Sequence, residues 1–244
     1  MRKLIVLWVY FIVLATSGWA SANQVTILCY HTFLGKPSVY TDFSISEFKS
    51  HVQILKDSGY RFVQWKDVVA NKITGTRNIL LIIDDGHRTT VDAYNQVLKP
   101  LGIKPMLAVY PGITGSRSFA MKWESLIQLQ KDGCEVASHG YFHEFFTEKF
   151  YKEHPDRFKD EFFKSKKILE ARLNVPVTSI VYPFGLTSPI AKETLKAAGF
   201  TYAFSLRQAP LSTPISSAEL LDLPRYMMTR SGAKEILKML SQKG

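Results

Sequence analysis

Two pairs of side chains in this 244-residue sequence have the types and spacing to do chemistry together: the adjacent Asp84 and Asp85, and His139 and His143, four apart. Neighbouring carboxylates repel unless a cation lies between them or one keeps its proton. Two histidines at that spacing fall on one side of a helical turn. Alone, the acids with Gly86 read as an Asp-Gly turn, and a single H-x-x-x-H is a weak signal. Together, two imidazoles and one carboxylate make a catalytic metal site with open positions, with zinc favoured by the nitrogen ligands. The second acid is then free to act as a base toward a water that the metal acidifies. The chemistry so described is metal-assisted hydrolysis.

The elements that must position these groups are legible around them. Ile79 to Ile83 is a short apolar run that ends at the acids and reads as a buried strand. Further strands are expected at Val25–Tyr30, Tyr60–Val63, Lys104–Tyr110, Cys134–Ser138, Val177–Val181, Thr201–Ser205 and Leu220–Leu223. Helices are expected between them. One opens on the capping box Ser44-x-x-Glu47 and carries Phe48, Val52 and Leu55 on one face. Others are expected over Thr90–Leu98, Trp123–Lys131, Pro155–Arg172, Pro189–Ala198 and Ala233–Leu240. Regular alternation argues α/β with a parallel sheet. The strand count fits a distorted (β/α) barrel of about seven strands, with a doubly wound open sheet as the alternative. In a barrel the site lies at the C-terminal ends of the strands. His31, Asp84-Asp85, His139, Tyr182 and Arg225 each directly follow an expected strand.

Residues 1–22 are read apart. Arg2 and Lys3 precede the apolar run Leu4–Leu14, and Ala20-Ser21-Ala22 ends the segment like a cleavage site. That is a secretory signal peptide, removed near Ala22 to leave an exported domain of residues 23–244. An uncleaved anchor is the lesser alternative, because the run is short for a span. The net charge of +10 becomes +8 without Arg2 and Lys3. Such a surplus suits association with an anionic cell envelope, although a solvated charge surface carries more weight. No basic stripe is interleaved with aromatics, so no nucleic-acid partner is expected, and a monomer is the expected state. Export permits a disulfide, but Cys29 and Cys134 both lie in apolar strand-like runs and read as two buried, unpaired thiols.

Ile83-Asp84-Asp85-Gly86 and Ser138-His139-Gly140-Tyr141-Phe142-His143 resemble the first two motifs of the polysaccharide deacetylases, the NodB-like carbohydrate esterases. Val181-Tyr182-Pro183-Phe184-Gly185 is similar to their third. Leu28-Cys29-Tyr30-His31 and Leu223-Pro224-Arg225 look like the bacterial branch that includes the poly-N-acetylglucosamine deacetylases. The resemblance runs from about residue 25 to residue 226. It implies a distorted (β/α) barrel, one divalent metal ion, and removal of acetyl groups from N-acetylated sugars. It implies that Asp85, His139 and His143 hold the metal and that Asp84 is the general base. Tyr182, Pro183 and Phe184 would line the substrate side, with a backbone N–H near Phe184 toward the oxyanion. A glycan-binding domain that kept the fold without the chemistry is the alternative, and the intact acids and histidines argue against it. A two-metal phosphoesterase would need more ligands than are present.

The chain departs from the family pattern in three places. Ile82-Ile83 stands where Thr-Phe is usual, a change of packing. Val181 and Tyr182 stand where many members have an arginine, a charge that Arg225 could supply. No histidine follows His154, so the family's late histidine is missing. Amide hydrolysis needs a proton for the leaving amine, and His31, on the first strand beside the last in a closed barrel, is the expected general acid, with a hydrogen bond in the barrel mouth or a further metal ligand as the alternatives. His87 is a loop histidine by default, and His51 and His154 are expected on solvated helix faces. Tyr30, Tyr141 and Trp123 could stack on sugar rings, or pack in the core or rim.

Overall fold

The computed structural model describes residues 23–242. The expected signal peptide lies outside the described residues. The described residues form nine strands: β1 (Asn23–Tyr30), β2 (Arg61–Phe62), β3 (Asn78–Ile83), β4 (Met106–Val109), β5 (Glu135–Ser138), β6 (Ser179–Val181), β7 (Tyr202–Phe204), β8 (Leu211–Thr213) and β9 (Tyr226–Met227). The α-helices are α1 (Ile45–Asp57), α2 (Trp65–Val69), α3 (Thr89–Ala93), α4 (Trp123–Lys131), α5 (Glu148–Glu153), α6 (Pro155–Leu173), α7 (Pro189–Ala197) and α8 (Ala233–Ser241).

The parallel strands run in the order β7-β6-β5-β4-β3-β1-β9, and β2 flanks the start of β3. β1 is shared along its length: Asn23–Val25 pair antiparallel with β8, and Leu28 and Cys29 pair parallel with β9. At the other edge Leu223 bridges Phe204 of β7. The run from Leu223 to Met227 therefore spans from β7 to β1 and curls the sheet into a distorted (β/α) barrel.

Alternation along the strands divides two apolar layers. Val25 and Ile27, Leu80 and Ile82, Met106 and Ala108, and Ala137 point into the barrel, joined by Val181, Phe204 and Leu223. Trp65 and Val68 of α2 plug its N-terminal end, where Glu135 accepts from the Trp65 and Lys66 N–H groups. The intervening residues, such as Leu28, Leu81 and Leu107, pack under the helices with Phe48, Val52 and Leu55 of α1 and Phe158, Phe162 and Leu169 of α6. Each such side chain contributes about 1.5–3 kcal/mol of burial.

The expected strand Leu220–Leu223 is not one. Only Leu223 makes a bridge, and the ladder resumes at Tyr226. Pro224 has no N–H to donate, so Arg225 precedes a strand instead of following one. The expected helix Thr90–Leu98 is split into α3 and a π-turn over Tyr94–Leu98. α2, α5 and β8 were not expected at all; each is too short to show a period.

Candidate active site

The inward alternation of each strand carries on past its apolar residues and delivers the site. Cys29 and His31 follow Val25 and Ile27, Asp84 follows Leu80 and Ile82, His139 follows Ala137, and Arg225 follows Leu223. They meet in one cavity of about 380 Å³, lined also by Asp85, His143, Tyr182, Phe184, Tyr40 and Leu206.

Three ligand atoms converge there. His139 Nε2 and His143 Nε2 lie 3.1 Å apart, and each is 3.5 Å from Asp85 Oδ1. The edges of a zinc tetrahedron with bonds of about 2.1 Å are about 3.4 Å, so the triangle fits such an ion. His139 Nδ1 donates to the Val181 carbonyl at 2.9 Å. That bond fixes the tautomer and leaves the Nε2 lone pair facing the triangle, as a ligating histidine requires. Burial works against a charge on His139, and Asp85 and Asp84 outweigh it and raise its pKa. Burial and the neighbouring His139 lower His143 to about 4. Asp85, His139 and His143 thus form a group able to hold a metal ion.

Asp84 is buried beside this triangle, with Oδ2 4.0 Å from His139 Nε2. Arg225, itself buried, gives one N–H nitrogen to both Asp84 oxygens at 3.0 and 2.9 Å, and its Nε donates to the Ser205 carbonyl at 3.0 Å. The Cys29 thiol donates to Asp84 Oδ2 at 3.1 Å. Burial pushes the Asp84 carboxyl up, and Arg225 and His139 more than offset it, holding it below its usual value. His31 lies on the same side as Cys29 and Asp84, and its Nδ1 is buried without a hydrogen-bond partner.

The backbone around these groups is unusual. Asp85, His143 and Phe184 have φ of +70°, +67° and +59°; the other non-glycine residues with positive φ, among those described, are asparagines, which tolerate it better. Each of the three costs of the order of 1–2 kcal/mol and is held by its surroundings. Gly86 and Gly185 follow two of them, also at positive φ. The Asp-Gly sequence therefore is a turn, and the turn is what aims Asp85 into the cavity.

The remaining expected residues separate. The Tyr182 backbone borders the cavity, but its side chain turns into the core and donates to the Leu221 carbonyl at 2.9 Å. Pro183 is buried. Tyr30 is buried among Phe33, Phe43 and Phe48, Tyr141 lies under Lys164 and Trp123 beside Arg172. The rings exposed at the cavity are instead those of Phe184 and Tyr40. His51 is half-buried and paired with the Tyr30 hydroxyl, not on a solvated face. His87 is tied to Thr89 and stacked on Phe119. Both thiols are buried and free. Cys29 was missed as a site residue, although its place two before His31 was a usable sign. Tyr40 sits in a loop with no pattern to mark it.

No curated protein matches the chain by sequence. The solved structure of IcaB from Ammonifex degensii is similar, with 24% identity and a TM-score of 0.75 over 89% of this chain and 97% of that one. The deacetylase PplD of Streptococcus pyogenes, in complex with acetate, gives 19%, 0.76, 90% and 99%. A de-N-acetylase from Aggregatibacter actinomycetemcomitans gives 20%, 0.70, 83% and 94%. At these identities the likeness is one of fold. The family model for polysaccharide deacetylase matches residues 71–203, more than half of the chain. That span brings in both acids and both histidines and leaves out Cys29, His31 and Arg225, and the chain belongs to the polysaccharide deacetylase family.

Proposed function

We propose that the protein is an exported, metal-dependent hydrolase that removes N-acetyl groups from N-acetylglucosamine-type glycans. The observation that carries this is the closed triangle of Asp85, His139 and His143 beside an ion-paired Asp84. Those three residues would hold one divalent ion, zinc by the donor set. When bound, the ion supplies Lewis acidity, which acidifies water and polarises a carbonyl.

This chain's own residues do the rest. Asp84, kept ionised by Arg225, takes the proton of the attacking water. A backbone N–H at Phe184 faces the developing oxyanion, a role worth about 3–4 kcal/mol in other hydrolases. His31 gives its proton to the departing amine nitrogen. Tyr40 and Phe184 offer rings to the sugar. Export rests on Arg2, Lys3, the apolar run and Ala20-Ser21-Ala22.

Purified protein with zinc restored should release acetate from a panel of chitin oligomers, peptidoglycan and amino-sugar exopolysaccharides. Asp85→Ala and His139→Ala should each lose stoichiometric metal. Silence across the whole panel, or full metal occupancy in both variants, would overturn the reading.

A further inference from the structure

A buried acid outside the cavity bears on the ligand His143. Glu161 lies on α6, is fully buried, and has no cation among its hydrogen-bond partners. Its carboxylate is spent on the loop that joins the two histidines. Oε2 accepts from the Tyr141 N–H at 2.9 Å and the Glu144 N–H at 3.3 Å, and Oε1 from the Phe142 N–H at 2.9 Å. The residues on both sides of His143 are therefore held by one side chain.

His143 needs such a holder. Its φ of +67° is a conformation a histidine adopts only at a cost, and nothing on its own ring fixes it as the Val181 carbonyl fixes His139. The ring makes edge and tilted contacts with Phe184, Tyr110 and His139, and its Nε2 meets only the other two corners of the triangle, His139 Nε2 and Asp85 Oδ1. Gly140 completes the fit: at φ +80° a Cβ there would collide with Glu161 Oε2. One turn on, Ser165 Oγ bonds Ser138 Oγ at 2.8 Å, so α6 grips the end of β5 as well.

We infer that Glu161 is a positioning residue, which clamps the N–H groups flanking His143 and so holds that ligand at the metal triangle. The inference rests on the reading of Asp85, His139 and His143 as metal ligands. It makes a remote acid part of the metal affinity. A partner outside the ligand set commonly affects affinity by 10- to 100-fold.

The test is zinc titration of the metal-free protein, with the absorption spectrum of the cobalt form as a second readout. Glu161→Gln keeps the shape of the side chain but turns one acceptor into a donor facing an N–H. It should weaken zinc 10- to 100-fold and alter the cobalt bands, while the metal-free protein stays folded by circular dichroism. In a His143→Ala background the same substitution should change the residual affinity little, because the ligand it positions is gone. If Glu161→Gln does not fold, Glu161→Asp, one methylene shorter with the charge kept, carries the same comparison. Unchanged zinc affinity in wild-type background would overturn the inference, and so would an equal loss with and without His143. A wild-type protein that binds no zinc would instead remove the metal reading, and the clamp with it.

Discussion

At the scale of single residues, the decisive pair is Asp84 and Arg225. Both are buried, and the guanidinium meets both carboxylate oxygens. An isolated charge in that position would be untenable, and removing one partner of a buried pair costs about 3–5 kcal/mol. Arg225→Ala should therefore lower stability by about that amount in urea unfolding, and a loss under 1 kcal/mol would show the pair is not what holds the barrel mouth. The pH dependence has a definite sign. Asp84 is ionised more readily folded than unfolded, so its share of stability is present above the usual carboxylate range and fades as acid protonates it. The Arg225→Ala variant should show a weaker acid dependence over that range. Asp84→Asn separates the proposed base from the proposed metal ligands: it should keep the metal and lose turnover by about 100- to 10,000-fold. An active Asp84→Asn enzyme would rule out that role. The sequence showed these residue types and their order, but not that the Cys29 thiol also donates to Asp84. A lone cysteine in an apolar run looks like any small core residue, and only the inward alternation Ile27, Cys29, His31 marks it.

At the scale of elements, the parts that fold by local rules were the readable ones. The Ser44–Glu47 capping box exists as both reciprocal bonds, and the Glu47 carboxylate also takes two bonds from Arg230, close to the start of α8. Ser44→Ala removes the N-terminal cap of α1 and should cost about 1 kcal/mol, seen as a lower midpoint in thermal or urea melts. Acetate release per folded molecule should be unchanged, since α1 contributes nothing to the cavity; a fall in turnover without a fall in stability would contradict that separation. α4 begins at Trp123 and ends at Lys131, as its pattern indicates, and Gly133 follows. The errors fall where local pattern was outweighed. Leu220–Leu223 has strand-like composition, but Pro224 breaks the ladder and pairing moves to Tyr226. Glu161 looks like one more solvated charge on a lysine-rich helix. Its burial depends on the loop folded over it from β5, about twenty residues earlier, which no helical period records. Tyr182 follows its strand as expected, yet its ring turns outward into the core by the same alternation that sends Val181 inward.

At the scale of the whole molecule, closure of the barrel decides which residues can work together. His31 and Arg225 are nearly two hundred positions apart, and they share a cavity because β9 pairs with β1 at Leu28 and Cys29. Alternation in the sequence made a barrel the simpler architecture, but only the ladder at that seam puts the first strand beside the last. It also gives a place for the missing late histidine. A group at the end of β1 occupies the sector next to β9, on the same side of the cavity as Asp84. Amide hydrolysis needs a proton at the departing nitrogen, because an amide anion is a very poor leaving group, and histidine is suited to deliver it. His31 lines the cavity, and its Nδ1 is buried and makes no hydrogen bond to the protein. His31→Ala should therefore retain zinc, since it is outside the Asp85, His139 and His143 triangle, and should lose turnover by about 100-fold or more. Substrates with an activated leaving amine need no such proton and should be spared most of the loss. Wild-type turnover in His31→Ala would rule out His31 as the donor.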